Sequence, residues 1–333
     1  MTMEKNKTSI EKAAELLRKY NNFLIVTHEN PDGDAFGSGF ALLQYLRLAG
    51  KNVEFLVPEQ IPEKYSDFTP SGCLTYATGL DWANFDFIIY LDTPMPKRAA
   101  LSDLNFKNIP LPSLNIDHHP DNIAYAQWNL LMPEAAATAE IIFMIFRAGA
   151  GAKITPEIAS LLMLGIVMDT GGFRFDNTSP KVMRHAAELL ELDADYHHVV
   201  NEMFFATPIS QLQFQAELVS HHLKKACLGR LAWFYVPPEL VEKYDVNMRN
   251  TEGLIEALRA IRGAEIVVIM QNHEMGFKIS MRSKNPEYSV GSIARKLNGG
   301  GHEMAAGGLI KTATLADAEK ILITHAEGVF NAL

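Results

Sequence analysis

Apolar and polar residues follow two rhythms along the chain. Ser9–Tyr20 (SIEKAAELLRKY) carries apolar residues at helical spacing, and Phe23–Thr27 (FLIVT) is a short continuous apolar run, the pattern of a strand buried on both faces. Helical spacing returns over Gly37–Ala49 and stops at Gly50, a residue suited to a C-cap. Val53–Val57, Phe87–Leu91 and Leu114–Ile116 are further strand-like runs, and Thr155-Pro156 reads as the N-cap and first residue of a helix reaching Met168. Strands separated by helices predict an α/β fold with a mostly parallel sheet flanked by helices. From Ser179 to about Lys225 the pattern is nearly all helical. Strand patterning resumes at Leu231–Val236, Glu265–Met270 and Phe277–Met281, mixed with helices near Leu254–Ile261 and Val290–Leu297. The expected division is a first α/β domain over 1–193, a helical connector over 194–228 and a smaller α/β domain over 229–333.

Composition narrows the function classes. At 333 residues and roughly 150 per domain, two domains are expected. With 48% hydrophobic and 21% charged residues the chain has the balance of a globular protein. Thirty Lys+Arg against 39 Asp+Glu give a net charge of −9, which argues against a coat-like binder of long duplex DNA. A short nucleotide in a local basic pocket stays open. Cys73 and Cys227 stand far apart with no CxxC, which excludes a disulfide framework and a thiolate zinc ribbon and fits a reducing cytosol. The charged start MTMEKNKTSIEK has no apolar segment of a secretory signal, and the apolar stretch around Ala159–Met168 is about half the ~20 residues of a membrane span. A cytoplasmic protein with no membrane partner is expected.

The chemistry lies where the strands end. FLIVT runs into His28, followed by Asp32 and Asp34; FIIYL runs into Asp92; LNI runs into Asp117-His118-His119. Open α/β sheets bind ligands at the C-terminal ends of their strands. A fourth acid segment, Asp169, closes the apolar helix of LLMLGIVMDTGGF. Asp32-Gly33 alone would be a turn, and an isolated His-His pair a surface or core group. Four such segments converging on one site point to chemistry there. Oxygen and imidazole donors without thiolate suit manganese or magnesium and admit zinc or cobalt. Their number fits two ions: His28, Asp32 and Asp34 from one turn, Asp92 from a neighbouring strand as a bridge, His118 and Asp169 completing the second. Two divalent ions about 3.5–4 Å apart can activate a water and clamp an in-line displacement at phosphorus. Gly37 and Ser38 are expected to open the following helix, where N–H groups favour an anion, and Arg174 is a candidate to face a substrate phosphate.

His28-x-Asn30-Pro31-Asp32-x-Asp34, the lone Asp92, Asp117-His118-His119 and Asp169-Thr170-Gly171 together resemble the four motifs of the DHH phosphoesterase superfamily. Gly299-Gly300-Gly301-His302, after Arg282-Ser283, resembles the DHHA1 substrate-binding module of the same proteins. The resemblance covers nearly the whole chain and implies roles. One metal would take His28, Asp32 and Asp92; the other Asp34, Asp92, His118 and Asp169. His119 would lie beside the scissile phosphate and Asp117 would orient a histidine, while Arg282, Ser283, Gly299, Gly300, Gly301 and His302 would hold a terminal phosphate. Length and the C-terminal loop resemble the compact group of bifunctional oligoribonucleases and phosphoadenosine-phosphate phosphatases. The function implied is metal-dependent hydrolysis of single-stranded RNA of about two to five nucleotides, and of 3′-phosphoadenosine 5′-phosphate to AMP. Two divalent ions are implied, manganese first, with magnesium or cobalt as alternatives, and homodimerisation is implied only by analogy.

Three rivals stand beside this reading: a phosphodiesterase for linear or cyclic dinucleotides, a non-catalytic nucleotide sensor, and an RNA-binding protein using the C-terminal domain alone. The complete donor set weighs against the sensor, and the acidic balance against the RNA-binding protein. His197-His198, His221-His222, Trp82, Trp128 and Trp233 are expected to be surface or packing groups. Thr251-Glu252-Gly253 reads as a helix start.

Overall fold

The structure, a computed structural model, describes residues 7–57, 61–71, 74–75, 80–100, 109, 111–149, 151–246, 248 and 252–332. It divides into two units, residues 1–206 and 207–333. Cys73 and Thr251 lie outside the described residues.

The first unit is built on strands β1 (Asn22–Val26), β2 (Asn52–Leu56), β3 (Leu74–Thr75), β4 (Phe87–Leu91), β5 (Ser113–Asp117) and β6 (Trp128–Leu131). All five strand pairings are parallel, in the order β3-β2-β1-β4-β5-β6. The chain builds outwards from β1 in one direction and, from β4 onwards, in the other. The β1–β4 boundary is therefore the topological switch point, where a crevice opens beyond the strand ends. Its helices are α1 (Ile10–Lys19), α2 (Gly33–Leu48), α3 (Thr138–Arg147), α4 (Pro156–Asp169), α5 (Pro180–Glu191) and α6 (Tyr196–Val200). Phe23 and Ile25 of β1 join buried residues of α1–α5 in one core, while Leu24 and Val26 face a second core with Ile88, Tyr90, Phe85 and Ala99. Burial on both faces is why β1 and β4 read as unbroken apolar runs.

Three details differ from the sequence pattern. The helix after β1 starts at Gly33, not Gly37, because Asp32 caps it, accepting from the N–H groups of Asp34 (3.1 Å) and Ala35 (3.2 Å). Gly37 and Ser38 thus lie inside α2, where the Ser38 hydroxyl donates to the Asp34 carbonyl at 2.7 Å. Strand β6 and helix α3 carried no distinct signal, although α3 proves central to the site.

The second unit contains α7 (Ile209–Glu217), β7 (Lys224–Ala226), β8 (Leu231–Tyr235), α8 (Pro238–Tyr244), α9 (Glu252–Arg259), β9 (Ile266–His273), β10 (Gly276–Ser283), α10 (Val290–Lys296), β11 (Gly300–Gly301), β12 (Ala305–Ile310) and α11 (Leu315–Phe330). Its sheet has the order β11-β12-β10-β9-β8-β7, mixed because only β8 and β9 pair in parallel. Ile266, Val268 and Met270 of β9 pack in a core with α10 and α11, while Val267 and Ile269 pack in another with α8 and α9. Helices therefore cover both faces of this sheet.

Candidate metal centre

The switch-point crevice gathers the acidic and imidazole side chains that end the strands. His28 follows β1 and is held by a bridge to Ala99. Asp92 follows β4 with a left-handed backbone (φ 52°), an unfavourable state for a residue with a Cβ. Its N–H donates to the Ile116 carbonyl at 3.0 Å, extending the β4–β5 pairing one residue into the site. Asp117 is the last residue of β5, Asp169 the last of α4, and Asp34 lies in the first turn of α2.

Asp92 occupies the middle. Its Oδ2 is 3.5 Å from His28 Nε2, and its Oδ1 is 3.5 Å from His118 Nε2 and 3.4 Å from His119 Nδ1. On one side His28, Asp32 and Asp92 bring their donor atoms within 4.8 Å of one another; on the other Asp34, His118 and Asp169 do the same. His118 Nε2 lies 3.1 Å from Asp169 Oδ2 and 3.9 Å from Asp34 Oδ2. Asp34 is fully buried, with its carboxylate accepting from the backbone N–H groups of Thr138 (2.6 Å) and Ala139 (2.9 Å) at the start of α3.

Asp117 is likewise fully buried and grips His119 twice, accepting from its backbone N–H at 3.1 Å and pairing with Nδ1 at 2.8 Å. The other Asp117 oxygen accepts from Asn122 Nδ2 at 2.5 Å, and Asn122 also donates to Asn115 Oδ1 at 2.7 Å. A buried amide chain thus fixes the carboxylate that fixes the ring. Nothing in the local spacing flagged Asn115 or Asn122; only the fold brings them to Asp117.

Burial opposes charge on each of these groups, and neighbours decide the outcome. Burial alone would lower the His28 pKa, but Asp32 and Asp92 raise it to about 9. His118 is raised against burial by Asp169 and Asp92 to about 10, and His119 well above its ordinary value by Asp117 and Asp92. Burial, together with the charges of Asp92 and Asp169, pushes Asp34 well above the usual carboxylate range. Burial also raises Asp169 to about 6 despite His118. Asp92 goes the other way: burial opposes its ionisation, but hydrogen bonds from His119 and His28 hold it well below its usual value. The crowded carboxylates call for positive charge, which the imidazoles are shifted towards supplying. Divalent cations satisfy the same need, and the carboxylate–imidazole donor set fits them.

The other motif residues lie in the second unit. Arg282 and Ser283 end β10, where Arg282 is in register with Ala305 of β12. Ser283 is buried, its hydroxyl donating to the Asn285 carbonyl at 2.8 Å, so it shapes the turn that follows Arg282. Gly299–Gly301 precede β12; a Cβ on Gly299 would overlap the Gly307 carbonyl, and Gly301 has a φ of 129°. His302 follows directly, and its carbonyl packs against Gly291 of α10. Arg174 belongs to the first unit, where Nε donates to the Gly171 carbonyl and the guanidinium covers the Phe204 ring at 5.3 Å.

Known proteins resemble the chain over most of its length. The model of the DHH family, N-terminal domain, matches residues 22–166, and that of the DHHA1 domain matches residues 231–328. The chain is 30% identical over 328 residues to the bifunctional oligoribonuclease and PAP phosphatase NrnA of Thermus thermophilus, covering 93% of this chain and 91% of that one. It is 26% identical to the protein of the same name from Bacillus subtilis, covering 93% and 99%. In fold it is similar to the crystal structure of an exopolyphosphatase-related protein from Bacteroides fragilis, with a TM-score of 0.86 and 24% identity over 96% of this chain and 95% of that one.

Proposed function

The chain belongs to the DHH family, and from that premise we propose that it is a phosphoesterase that hydrolyses short oligoribonucleotides and 3′-phosphoadenosine 5′-phosphate. The observation that carries the reading is Asp92, whose two carboxylate oxygens face two separate groups of donors across the switch point. His28, Asp32 and Asp92 would hold one divalent ion, and Asp34, Asp92, His118 and Asp169 the other. When bound, such a pair supplies an activated water and Lewis acidity at phosphorus.

The chain's own residues supply the rest. Asp117 holds His119 through Nδ1 and so fixes the ring whose Nε2 would meet a substrate oxygen. His119 donates a hydrogen bond there, stabilising charge as it develops on the phosphoryl group. Arg282, His302 and the backbone of Gly299–Gly301 bind the terminal phosphate, the open space at Gly300 allowing close approach. A net charge of −9 suits a substrate held at a few phosphates better than a long strand needing a continuous basic groove.

The test is manganese-dependent hydrolysis of 5′-labelled RNA dinucleotide and trinucleotide, beside phosphoadenosine phosphate, a cyclic dinucleotide and an RNA several times longer. Rapid loss of the short RNAs with slow loss of the long one is expected, together with release of phosphate from phosphoadenosine phosphate. Turnover confined to cyclic dinucleotides, or of none of these with manganese bound, would overturn the reading.

A further inference from the structure

Behind the donors, one short segment touches two of the acids, Asp34 and Asp92, and is linked through Asn177 to the backbone of a third, Asp169. The first N–H groups of α3, on Thr138 and Ala139, hold both oxygens of Asp34. The Thr138 hydroxyl donates to Asp92 Oδ1 at 3.2 Å. The Asn177 side-chain amide donates to the Ala136 carbonyl at 3.1 Å and the Asp169 carbonyl at 3.0 Å, tying the segment to the last residue of α4. The segment is also locked from its far side. Glu140 accepts from the Ala136 N–H at 2.7 Å through one oxygen and meets His185 Nδ1 at 2.8 Å through the other, and both side chains are buried. Ala137, at the N-cap of α3, has no side chain to cap the helix, so Asp34 does so from 104 residues away.

We propose that Ala136–Glu140 is the positioning segment of the metal centre, with Thr138 and Asn177 its positioning residues. It sets the separation of Asp34, Asp92 and Asp169 before any cation arrives. Three carboxylates crowded in one crevice, Asp34 and Asp92 of them buried, repel one another and would otherwise turn apart. At Asp34 and Asp92 the anchors are amides and a hydroxyl, which fix the direction of a carboxylate without supplying the counter-charge that a divalent ion brings; at Asp169 the anchor holds the main chain. Groups that orient metal ligands in this way commonly control affinity about 10–100-fold.

This inference rests on the reading that these acids hold divalent cations, and its test separates the two. Chelator-stripped, full-length wild type, Thr138→Val, Thr138→Ser and Asn177→Leu are titrated with manganese by calorimetry, and the melting temperature of each metal-free form is recorded. Thr138→Val keeps the side-chain shape and removes only the hydroxyl, so it is the deciding arm. Thr138→Val and Asn177→Leu are expected to weaken manganese binding about 10–100-fold with metal-free melting temperatures close to wild type, and Thr138→Ser to retain near wild-type affinity. Folded Thr138→Val and Asn177→Leu with unchanged affinity would overturn the proposal, as would Thr138→Ser losing as much as Thr138→Val. A wild-type protein that takes up no manganese would instead remove the metal reading beneath it.

Discussion

Asp92 concentrates the chemistry of the crevice in one residue. Its left-handed backbone lets the carboxylate lie between His28 and His118, each at 3.5 Å. Strain of that kind costs of order 1–3 kcal/mol and persists where the surroundings over-determine it; here the Thr138 hydroxyl and the Ile116 carbonyl do so. Replacing Asp92 with alanine should lower kcat for short RNA by at least about a hundredfold, because both donor groups lose a shared member. An Asp92→Ala protein within tenfold of wild type at saturating metal would refute the shared role. The strand-end acids and imidazoles were legible in the sequence because each closes an apolar run, a local signal. Thr138, Asn122 and Asn177 were not, since their partners are set by the fold: Thr138 reaches Asp92 across 46 residues.

At the scale of elements, the crevice depends on how closely α2 and α4 approach. A Cβ on Gly37 would come within 2.6 Å of the Gly165 nitrogen and the Leu161 carbonyl oxygen. A Cβ on Gly165 would meet Ala139 at 2.5 Å and Asp34 Oδ1 at 2.7 Å. The contact at Gly165 thus packs α4 against α2 and α3 and also leaves room for the Asp34 carboxylate. Gly165→Ala should destabilise the protein by about 1–3 kcal/mol through overpacking, a fall of several degrees in melting temperature. It should also weaken manganese binding, since the added methyl pushes on Asp34. Loss of stability with manganese affinity unchanged would confine the glycine to packing. Gly33 also misled the reading of α2: Asp32-Gly33 looks like a turn, but capping by Asp32 and burial override the low helix propensity of glycine there.

In the whole molecule, the two groups of motif residues belong to different bodies. His28, Asp32, Asp34, Asp92, His118 and Asp169 lie within 1–206, and Arg282, Ser283, Gly299–Gly301 and His302 lie within 207–333. Each unit has its own sheet and its own cores, so a substitution in one can leave the packing of the other intact. The pattern of apolar runs made both sheets visible, but the helical connector expected over 194–228 spans the boundary after Ala206, where helical structure breaks between Phe205 and Ile209. Division of labour follows if the second unit binds phosphate and the first holds the cations. Arg282→Ala and His302→Ala should then raise KM for a trinucleotide about tenfold or more while manganese affinity stays at the wild-type value, since an interaction equal in ground and transition states acts on KM alone. A fall in kcat at constant KM, in a protein that still binds manganese normally, would place these side chains against the reacting phosphate instead. Either result is read from steady-state kinetics beside a manganese titration of the same preparation, so loss of metal and loss of substrate contact are told apart.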